Sequence, residues 1–446
     1  MTEDFQTPSR AAFKLAHLSD LHLDYSSGRV SNTQGINIRE QDGYDAFNEI
    51  VDDIIAHEVD AVMIAGDIFH SPKPTIRSIV QAQQGMKRLA DAGIKVYSIA
   101  GNHDASDIRS DVAASKVLDR PEIGIFSHAE PYVRYEITDG VHLHLVSHHM
   151  YSQQQDTMLD VNPIPGEVNI FCTHGSIIDS ITKMRLSTEQ SPREVIIPDF
   201  ILNEKDWSYR LLGHIHERGF AGSSDGLTDT SELRTYYNGS LIRRGFSDAE
   251  TPLGRGWTLW NIDAEGNFSP EFKQVTQRAQ FDFASIDCQE LSSADISTLI
   301  VENLKTSKDA ELPIIRQSLH NLTPAKHGAL DWSTISKNTD HALSWKMKVD
   351  RIQHTPGSKL GDAADTDNIG DDEGDDADDS TMTAEEKALS ALKRQSDKDL
   401  LDIYDDFAEN SQTAQDIEEK LRPRSVKMSR KYIHDSRQRS LGSEED

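Results

Sequence analysis

Five short segments of the chain carry carboxylate, imidazole or amide side chains directly after a run of apolar residues. They are Asp20-Leu21-His22, Gly66-Asp67, Gly101-Asn102-His103-Asp104, His174-Gly175 and Gly213-His214-Ile215-His216. Such oxygen and nitrogen ligands suit borderline and hard divalent metals such as Mn, Fe or Zn. Seven candidate ligands are too many for one ion with open coordination positions but fit two ions that share a carboxylate: Asp20, His22, Asp67, Asn102, His174, His214 and His216. Two close metals favour attack on a phosphoryl group, so the pattern predicts phosphoester hydrolysis.

The elements between the first three segments predict that these side chains meet. Apolar runs of strand length cover residues 13–18, 59–65 and 94–100, and amphipathic helices are predicted at 45–57 and 75–91. This alternation predicts parallel strands joined by right-handed crossovers. The carboxyl ends of such strands lie at one edge of the sheet, where ligands bind in open α/β folds.

The following part of the chain is rich in predicted strands. Asp139-Gly140 is typical of a hairpin turn, and further apolar runs end at His174 and Gly213. An α/β half followed by a β-rich half predicts two sheets packed face to face, with helices outside. Within the hairpin, His142 and His144 alternate with apolar residues, so we expect them to share one solvated strand face.

Composition limits the compartment and the partners. The 446 residues carry a net charge of −29, which argues against an overall basic coat for nucleic acid, although a bound metal can reverse the charge locally. The two cysteines, Cys172 and Cys288, have no pair spacing and predict reduced thiols. The first residues lack the features of an export signal, and no apolar run reaches membrane-spanning length. We therefore expect an intracellular protein, cytoplasmic or nucleoid-associated, that is not secreted and has no membrane partner.

Ligand-bearing strand ends stop near residue 265, and composition divides the chain into four parts. We predict a hydrolase domain at 1–265 and a small α+β domain at 266–355. An acidic linker at 356–382 includes ten Asp or Glu between positions 361 and 380, a composition too polar to order itself. The tail at 383–446 opens with a capping box and an apolar helical stripe, and it ends in a basic stretch.

Taken together, the five segments resemble the motifs of the calcineurin-like metallophosphoesterases over residues 13–217. The resemblance implies an α/β (α+β) fold, a two-sheet β-sandwich flanked by helices, with a small α+β capping domain and a helical C-terminal tail. It implies that one metal is held by Asp20, His22, Asp67 and His216. It implies that the other is held by Asp67, Asn102, His174 and His214, so that Asp67 bridges the two ions. By the same resemblance, His103 contacts the phosphate and protonates the leaving oxygen, a role that suits an imidazole titrating near neutral pH.

A narrower resemblance rests on two other segments. Gly66-Asp67-Ile68-Phe69-His70, followed by Ser-Pro-Lys-Pro, and Tyr237-Asn238-Gly239-Ser240-Leu241-Ile242-Arg243 resemble the SbcD and meiotic-recombination-eleven branch of nucleases. This resemblance implies a Mn-dependent exonuclease or endonuclease acting on DNA ends in double-strand-break repair or recombination, with Fe, Zn or Mg as alternative metals. It implies that His70 is a second active-site histidine that helps to place the nucleotide phosphates. It further implies a homodimer, a capping domain at 266–355 that contacts DNA, and a C-terminal helix that binds an SbcC-like coiled-coil ATPase.

The residues leave several alternatives open. A phosphodiesterase or phosphatase for small molecules or phosphoproteins is a second enzymatic function, against which His70 and the additional domain argue. A subunit that binds DNA ends or an ATPase without catalysis is a third, against which the intact ligand set and His103 argue. The helix from Thr383 could fold back on its own domain instead of binding a partner. Asp104 could orient His103 or cap a helix.

Overall fold

The computed structural model describes residues 11–104, 112–148, 151, 161–177, 196–197, 206–221, 234–246 and 254–350, all of which lie within one compact unit of the chain, Met1–Asp365. The predicted acidic linker at 356–382 and helical tail at 383–446 lie outside the described residues. Within the described ranges, no helix is long and apolar enough to cross a membrane.

The secondary structure consists of short strands with few helices. The strands in chain order are β1 (Phe13–Leu18), β2 (Ala61–Ile64), β3 (Lys95–Ile99), β4 (Ile125–His128), β5 (Tyr132–Thr138), β6 (Val141–Val146), β7 (Val168–His174), β8 (Tyr209–Gly213), β9 (Gly219–Phe220), β10 (Thr235–Tyr237), β11 (Gly256–Ile262), β12 (Phe268–Gln274), β13 (Gln280–Asp287), β14 (Ile314–His320) and β15 (Ser344–Asp350). The α-helices are α1 (Ile38–Ala56), α2 (Ile76–Asp91), α3 (Ser293–Thr306), α4 (Pro324–Gly328) and α5 (Trp332–Thr339), with 3₁₀ helices at Ala114–Leu118 and Pro121–Ile123.

The first sheet has six strands in the order β12-β11-β1-β2-β3-β4. β1 to β4 run parallel, and β11 and β12 extend the sheet beside β1 by antiparallel pairing. Phe47, Ile50 and Ile54 of α1 are buried in one cluster with Val62 of β2 and Val96 of β3. The crossovers through α1 and α2 therefore return the chain so that β1, β2 and β3 end at the same edge.

The second sheet also has six strands, in the order β5-β6-β7-β8-β10-β9. β5 and β6 form the predicted antiparallel hairpin, and β6, β7, β8 and β10 run parallel. Apolar side chains from both sheets form one core, which includes Leu15, Met63, Ile99, Leu143, Ile170 and Leu211. Each such burial contributes about 1.5–3 kcal/mol, so this core fixes the two sheets, and the strand ends they carry, against each other. The predicted two-sheet sandwich flanked by helices is confirmed.

The prediction that His142 and His144 share a solvated strand face is wrong. Both are buried, because an apolar cluster that includes Trp207 covers the outer face of this part of the second sheet. His144 Nδ1 lies 2.8 Å from the hydroxyl oxygen of Tyr132, and Nε2 lies 3.0 Å from Oδ1 of Asn169. Burial lowers the pKa of His144 to about 4, although the hydrogen bond with Asn169 opposes this shift.

A separate three-stranded parallel sheet, β13-β14-β15, follows the sandwich. It packs with α3 around a small apolar core that includes Ile286, Ile296, Ile300, Leu304 and Leu319. Because β12 belongs to the first sheet, the sandwich continues past position 265 to Gln274, and the separate sheet begins at Gln280. In the connection, Arg278 donates to both carboxylate oxygens of Asp42 at 2.8 and 2.6 Å, which ties the root of the small sheet to α1.

Candidate metal centre

The predicted ligand residues meet at the shared edge of the two sheets. Their positions are Asp20 and His22 after β1, Asp67 after β2, Asn102 after β3, His174 at the end of β7, and His214 and His216 after β8. All seven are buried, with exposed fractions between 0 and 8%. The strand order therefore brings together side chains from both sheets and from distant parts of the sequence.

One group of ligand atoms lies around His22 and His216. The Nε2 atoms of these two imidazoles are 3.1 Å apart. His22 Nε2 lies 3.6 Å from Oδ2 of Asp67, and His216 Nε2 lies 3.7 Å from Oδ1 of Asp20. Atoms that bind a common ion at about 2.0–2.2 Å are separated by roughly 3.0–3.5 Å. The spacing of this group fits one divalent cation.

A second group of ligand atoms lies around His174. Its Nε2 is 2.8 Å from Oδ1 of Asn102 and 3.3 Å from Oδ2 of Asp67. His214 Nδ1 lies 3.2 Å from the same Asn102 oxygen. Asp67 Oδ2 thus belongs to both groups, which is the placement expected of a carboxylate shared by two ions.

The backbone at these ligands adopts conformations that residues with side chains rarely occupy. Asp20, His22, Asp67 and His214 have φ values of 52°, 41°, 51° and 96°. A non-glycine residue held in this region costs about 1–3 kcal/mol and persists only where its surroundings enforce it. Backbone hydrogen bonds provide that constraint, because the N–H of Asp20 donates to the Gly66 carbonyl and that of His22 to the Asp67 carbonyl, both at 3.0 Å.

Two glycines in the motifs are required by close packing around the ligands. A Cβ at Gly66 would lie 2.5 Å from Nδ1 of His174, and the φ of Gly66 is +87°. A Cβ at Gly101 would overlap Oδ1 and the backbone nitrogen of Asp67. Larger residues at either position would displace a ligand side chain.

Hydrogen bonds behind the ligands set their orientation. His174 Nδ1 lies 2.8 Å from the carbonyl oxygen of Ala65, which can only accept, so this nitrogen carries a proton and Nε2 is the nitrogen that faces the cluster. Both carboxylate oxygens of Asp20 accept the backbone N–H of His214 at 3.1 Å. These contacts link the ligands of one sheet to the backbone of the other.

Burial and neighbouring charges decide which ligands are ionised. Burial lowers the pKa of His22 and of His216 well below its ordinary value, and the Arg244 guanidinium adds to this shift, so both imidazoles are neutral and their lone pairs are available. Burial would also lower the pKa of His174, but the carboxylates of Asp67 and Asp20 outweigh it and raise this pKa to about 10. Burial opposes ionisation of Asp67, yet the neighbouring His174 holds the pKa of that carboxyl well below its usual range.

These observations fit two divalent cations. Carboxylates and imidazoles are buried together where isolated charge is costly. Among the described residues their ligand atoms form three groups within 4.8 Å of one another: Asp20, His22 and His216; Asp20, Asp67 and His174; and His22, His70 and His103. No cysteine contributes to these groups in the described ranges, in agreement with a borderline or hard metal.

Two further histidines stand beside the ligands. His103 stacks on His70 with ring centroids 5.2 Å apart, and its ring lies edge-on to His22. The backbone N–H of His103 donates to Oδ1 of Asp67 at 2.9 Å, and its Nδ1 lies 2.8 Å from the His70 carbonyl oxygen. Because a carbonyl can only accept, Nδ1 of His103 carries a proton and Nε2 is the atom available for chemistry. Burial and Arg244 lower the pKa of His70 to about 3.

The contacts of two polar residues near the ligands, Asp104 and Arg244, were not predicted from the sequence. The Asp104 carboxylate accepts the backbone N–H groups of Ile68, Phe69 and Gly101. It therefore joins the two loops that carry Asp67 and Asn102. Arg244 contacts His216 and His70, and its position just after the Asn-Gly-Ser-Leu-Ile-Arg segment was its only signal in the sequence.

The calcineurin-like phosphoesterase model matches residues 13–245. The chain belongs to this family. The predicted family and fold class are therefore confirmed, and the chain is a member of a group of metal-dependent phosphoesterases whose site takes two metals.

The relatives of this calcineurin-like phosphoesterase include proteins called DNA double-strand break repair protein Mre11. The one from Methanococcus maripaludis is 36% identical over 261 residues, covering 57% of this chain and 64% of the relative. The one from Methanocaldococcus jannaschii is 26% identical over 263 residues, covering 56% and 62%. The one from Sulfolobus acidocaldarius is 25% identical over 320 residues, covering 71% and 77%. The chain thus spans between 62 and 77% of the length of these three relatives.

Solved structures include a dimetal phosphatase from Danio rerio, which is 12% identical with a TM-score of 0.33 and covers 56% of this chain and 93% of its own. A structure named TT1561 from Thermus thermophilus is 9% identical with a TM-score of 0.34, covering 59% and 99%. The family assignment rests on the family match and on the topology of the two sheets.

Proposed function

We propose that this protein is a dimetal-dependent nuclease that hydrolyses phosphodiester bonds at DNA ends in double-strand-break repair or recombination. The observation that carries the proposal is the convergence of seven buried ligands around Asp67 Oδ2, with His103 and His70 stacked beside them. The names of the relatives, DNA double-strand break repair protein Mre11, point to DNA as the substrate.

We assign the metal ligands to two ions according to the two groups of ligand atoms around His22 and His174. We assign Asp20, His22, Asp67 and His216 to one ion and Asp67, Asn102, His174 and His214 to the other, with Mn²⁺ as the preferred metal and Fe, Zn or Mg as alternatives. Two bound ions supply Lewis acidity toward phosphoryl oxygens and lower the pKa of a water nucleophile.

His103 is assigned the role of general acid. Its Nδ1–H donates to the His70 carbonyl, which orients the ring. Nε2 can then give a proton to the leaving sugar oxygen. His70 stacks on His103, and burial together with Arg244 lowers its pKa to about 3, so it would contact the phosphate as a neutral imidazole.

The small sheet at 280–350, within the predicted 266–355 domain, is proposed to contact DNA beside the metal centre, and the tail at 383–446 to bind an SbcC-like coiled-coil ATPase. Arg278 supports a fixed position of the small sheet on α1, since it also donates to the carbonyls of Glu311 and Leu312 at 3.1 and 3.2 Å.

A homodimer is proposed through α2, Val112 and the 3₁₀ helix Ala114–Leu118. Four of the eight large hydrophobic residues that are exposed in the described ranges belong to this region: Ile76, Val80, Val112 and Val117. A patch of this kind around one helix can pair with itself across a two-fold axis. Sedimentation equilibrium should find a dimer, and Ile76→Glu should give a monomer, whereas Leu299→Glu on α3 should leave the dimer intact. A parent protein that sediments as a monomer contradicts this assignment.

The function is tested with the full chain and Mn²⁺ on linear duplex DNA and on bis-p-nitrophenyl phosphate. We expect cleavage of both, and loss of both in Asp67→Asn. Asp91→Asn, which makes the same change at an exposed carboxylate paired with Lys87, should be fully active.

Three outcomes contradict the proposal in different ways. Cleavage of the small ester alone favours a phosphodiesterase or phosphatase of other substrates. Absence of hydrolysis with Mn, Mg, Zn or Co despite two bound metals favours a non-catalytic subunit. An Asp67→Asn variant that cuts duplex as fast as the parent refutes the site assignment.

A further inference from the structure

Arg244 lies against the metal ligands without being able to serve as one. Its Nη2 is 2.8 Å from Nδ1 and 2.9 Å from Nε2 of His216, and its Nη1 is 3.4 Å from Nδ1 of His70. A guanidinium has five N–H donors, no acceptor and a permanent positive charge. The residue therefore brings a fixed cation to the edge of a cluster whose ligands suit divalent cations.

The backbone that carries Arg244 is anchored on both sides. Tyr25 donates its hydroxyl to the Arg244 carbonyl at 3.0 Å, and the Arg244 guanidinium carbon lies 5.9 Å from the centre of the Tyr25 ring. Arg39 donates to the carbonyl of the preceding Arg243. Gln277 accepts the Arg243 N–H at 3.1 Å and donates to the Leu241 carbonyl at 3.1 Å. This support aims the side chain at the metal centre from a defined position.

The charge of Arg244 beside the metal ligands indicates a site for an anion. A guanidinium next to two divalent ions is repelled by them, and the repulsion is offset when an anion lies between the cations. A phosphate group is such an anion, and its tetrahedral oxygens match the planar fork of arginine, which can bind two of them at once. The partly exposed Arg244 side chain stands beside His70 and His216.

We propose that Arg244 is a further catalytic residue that binds a non-bridging oxygen of the scissile phosphate and stabilises its charge in the transition state. This inference rests on the proposed phosphodiesterase chemistry of the site and adds a cation that comes from the protein itself. The proposed contact involves only the phosphate oxygens, so it applies whatever groups the phosphate joins. Arg244 then completes a phosphate site formed with His70 and His103.

The inference is tested with Arg244→Gln and Arg244→Lys in the full chain, next to Arg120→Gln as a control. Arg120 is a surface guanidinium paired with Glu122, so the control removes the same charge away from the centre. Three quantities are measured: bound Mn per chain by mass spectrometry, the binding of radiolabelled inorganic phosphate at tracer level to the Mn-loaded protein by equilibrium dialysis, and the hydrolysis of bis-p-nitrophenyl phosphate and linear duplex.

We expect Arg244→Gln to keep two Mn per chain and to weaken phosphate binding by ~10-fold or more, because a charge-assisted bidentate contact is lost. Hydrolysis of both substrates should fall by about 10²-fold, as when a transition-state donor is removed. Arg244→Lys keeps the charge but not the forked guanidinium, so its phosphate affinity and its rate of hydrolysis should lie between those of the parent and of Arg244→Gln. The Arg120→Gln control should match the parent.

The phosphate measurement separates this inference from the proposed nuclease function, since it requires no DNA and no turnover. Phosphate affinity in Arg244→Gln within twofold of the parent overturns the inference. A drop to one Mn per chain overturns it in favour of a structural role at His216. Tighter Mn binding with higher activity overturns it in favour of an arginine that merely competes with the metal. If Arg244→Gln fails to fold, as judged by its thermal melt, the Arg244→Lys variant decides: unchanged phosphate affinity and unchanged turnover overturn the inference.

Discussion

Replacing Asp104 by Asn removes a charge whose hydrogen bonds hold two ligand-bearing loops together. Asp104 is fully buried; its Oδ2 accepts the N–H of Gly101 at 3.0 Å and of Ile68 at 3.2 Å, and its Oδ1 accepts the N–H of Phe69 at 2.9 Å. Asn has the same shape but only one oxygen. That oxygen can keep the two bonds made by Oδ2, and the NH₂ group then faces the Phe69 N–H.

The size of the effect follows from these contacts. One buried donor left without an acceptor costs about 1–3 kcal/mol of unfolding free energy. Burial, together with the nearby Asp67 charge, raises the pKa of Asp104 to about 6, so removal of its charge offsets part of that loss. The fold should therefore persist. Loss of a hydrogen bond behind metal ligands typically lowers metal affinity or activity by ~10–100-fold, and we expect Mn²⁺ affinity to fall within that range.

The assay is a Mn²⁺ titration in which the paramagnetic resonance signal of free Mn²⁺ is followed for the parent, Asp104→Asn and the surface control Asp91→Asn. Hydrolysis of bis-p-nitrophenyl phosphate by Asp104→Asn should recover as Mn²⁺ is raised, and urea unfolding reports its stability. If Asp104→Asn binds both Mn²⁺ ions as tightly as the parent and is equally stable, Asp104 does not support the two loops and the reasoning fails.

Three further predictions concern single residues. His22→Ala should reduce bound Mn from two to one per chain, because His22 belongs to one ligand group only; an unchanged metal content places His22 outside the site. Gly101→Ala should weaken binding of both ions, because its Cβ overlaps the shared Asp67 carboxylate, whereas Gly328→Ala, where a Cβ meets nothing within 4 Å, should not. The pKa of His144 is about 4 in the fold against 6.5 in the unfolded chain, so the folded protein holds this imidazole neutral. Its contribution to the free energy of unfolding is therefore complete above pH 6.5 and falls by up to about 3 kcal/mol as the pH drops toward 4. The unfolding free energy of His144→Gln, measured with urea, should lose this part of its decrease at low pH. If the unfolding free energies of the parent and of His144→Gln depend on pH in the same way, the buried neutral His144 does not contribute as described.

Much of the scaffold follows from the sequence because apolar runs and polar ends coincide. The strand at Phe13–Leu18 was predicted with the bounds that the structure has, and α2 begins within a residue of its predicted start. The convergence of Asp20 and Asp67 follows from the topology of parallel strands. These features are local or depend on general rules of chain connection.

Other elements depend on contacts that local patterns do not contain. α1 begins at Ile38 rather than at 45, because Asn37 caps it and its polar first turn is buried, with Arg39 paired to Asp42 at 2.5 Å. The strand Ile125–His128 is short and half polar, and it is held in the first sheet by pairing with β3.

The site shows the same division. The ligands are recognisable from residue type and position at strand ends. The supporting role of Asp104 depends on the backbone of Ile68 and Phe69, 36 and 35 positions away, and that of Arg244 on His70, which is 174 positions distant. His144 is buried because side chains of other segments cover its face of the sheet, which alternation of apolar residues cannot reveal.

The central claim is that two divalent ions share Asp67. Anomalous diffraction from crystals grown with Mn²⁺ tests it most directly. The account predicts two peaks about 3.5–4 Å apart, one on either side of the Asp67 carboxylate, with His22 and His216 at one and His174 and His214 at the other. A single peak, or two peaks that do not share Asp67, would contradict it.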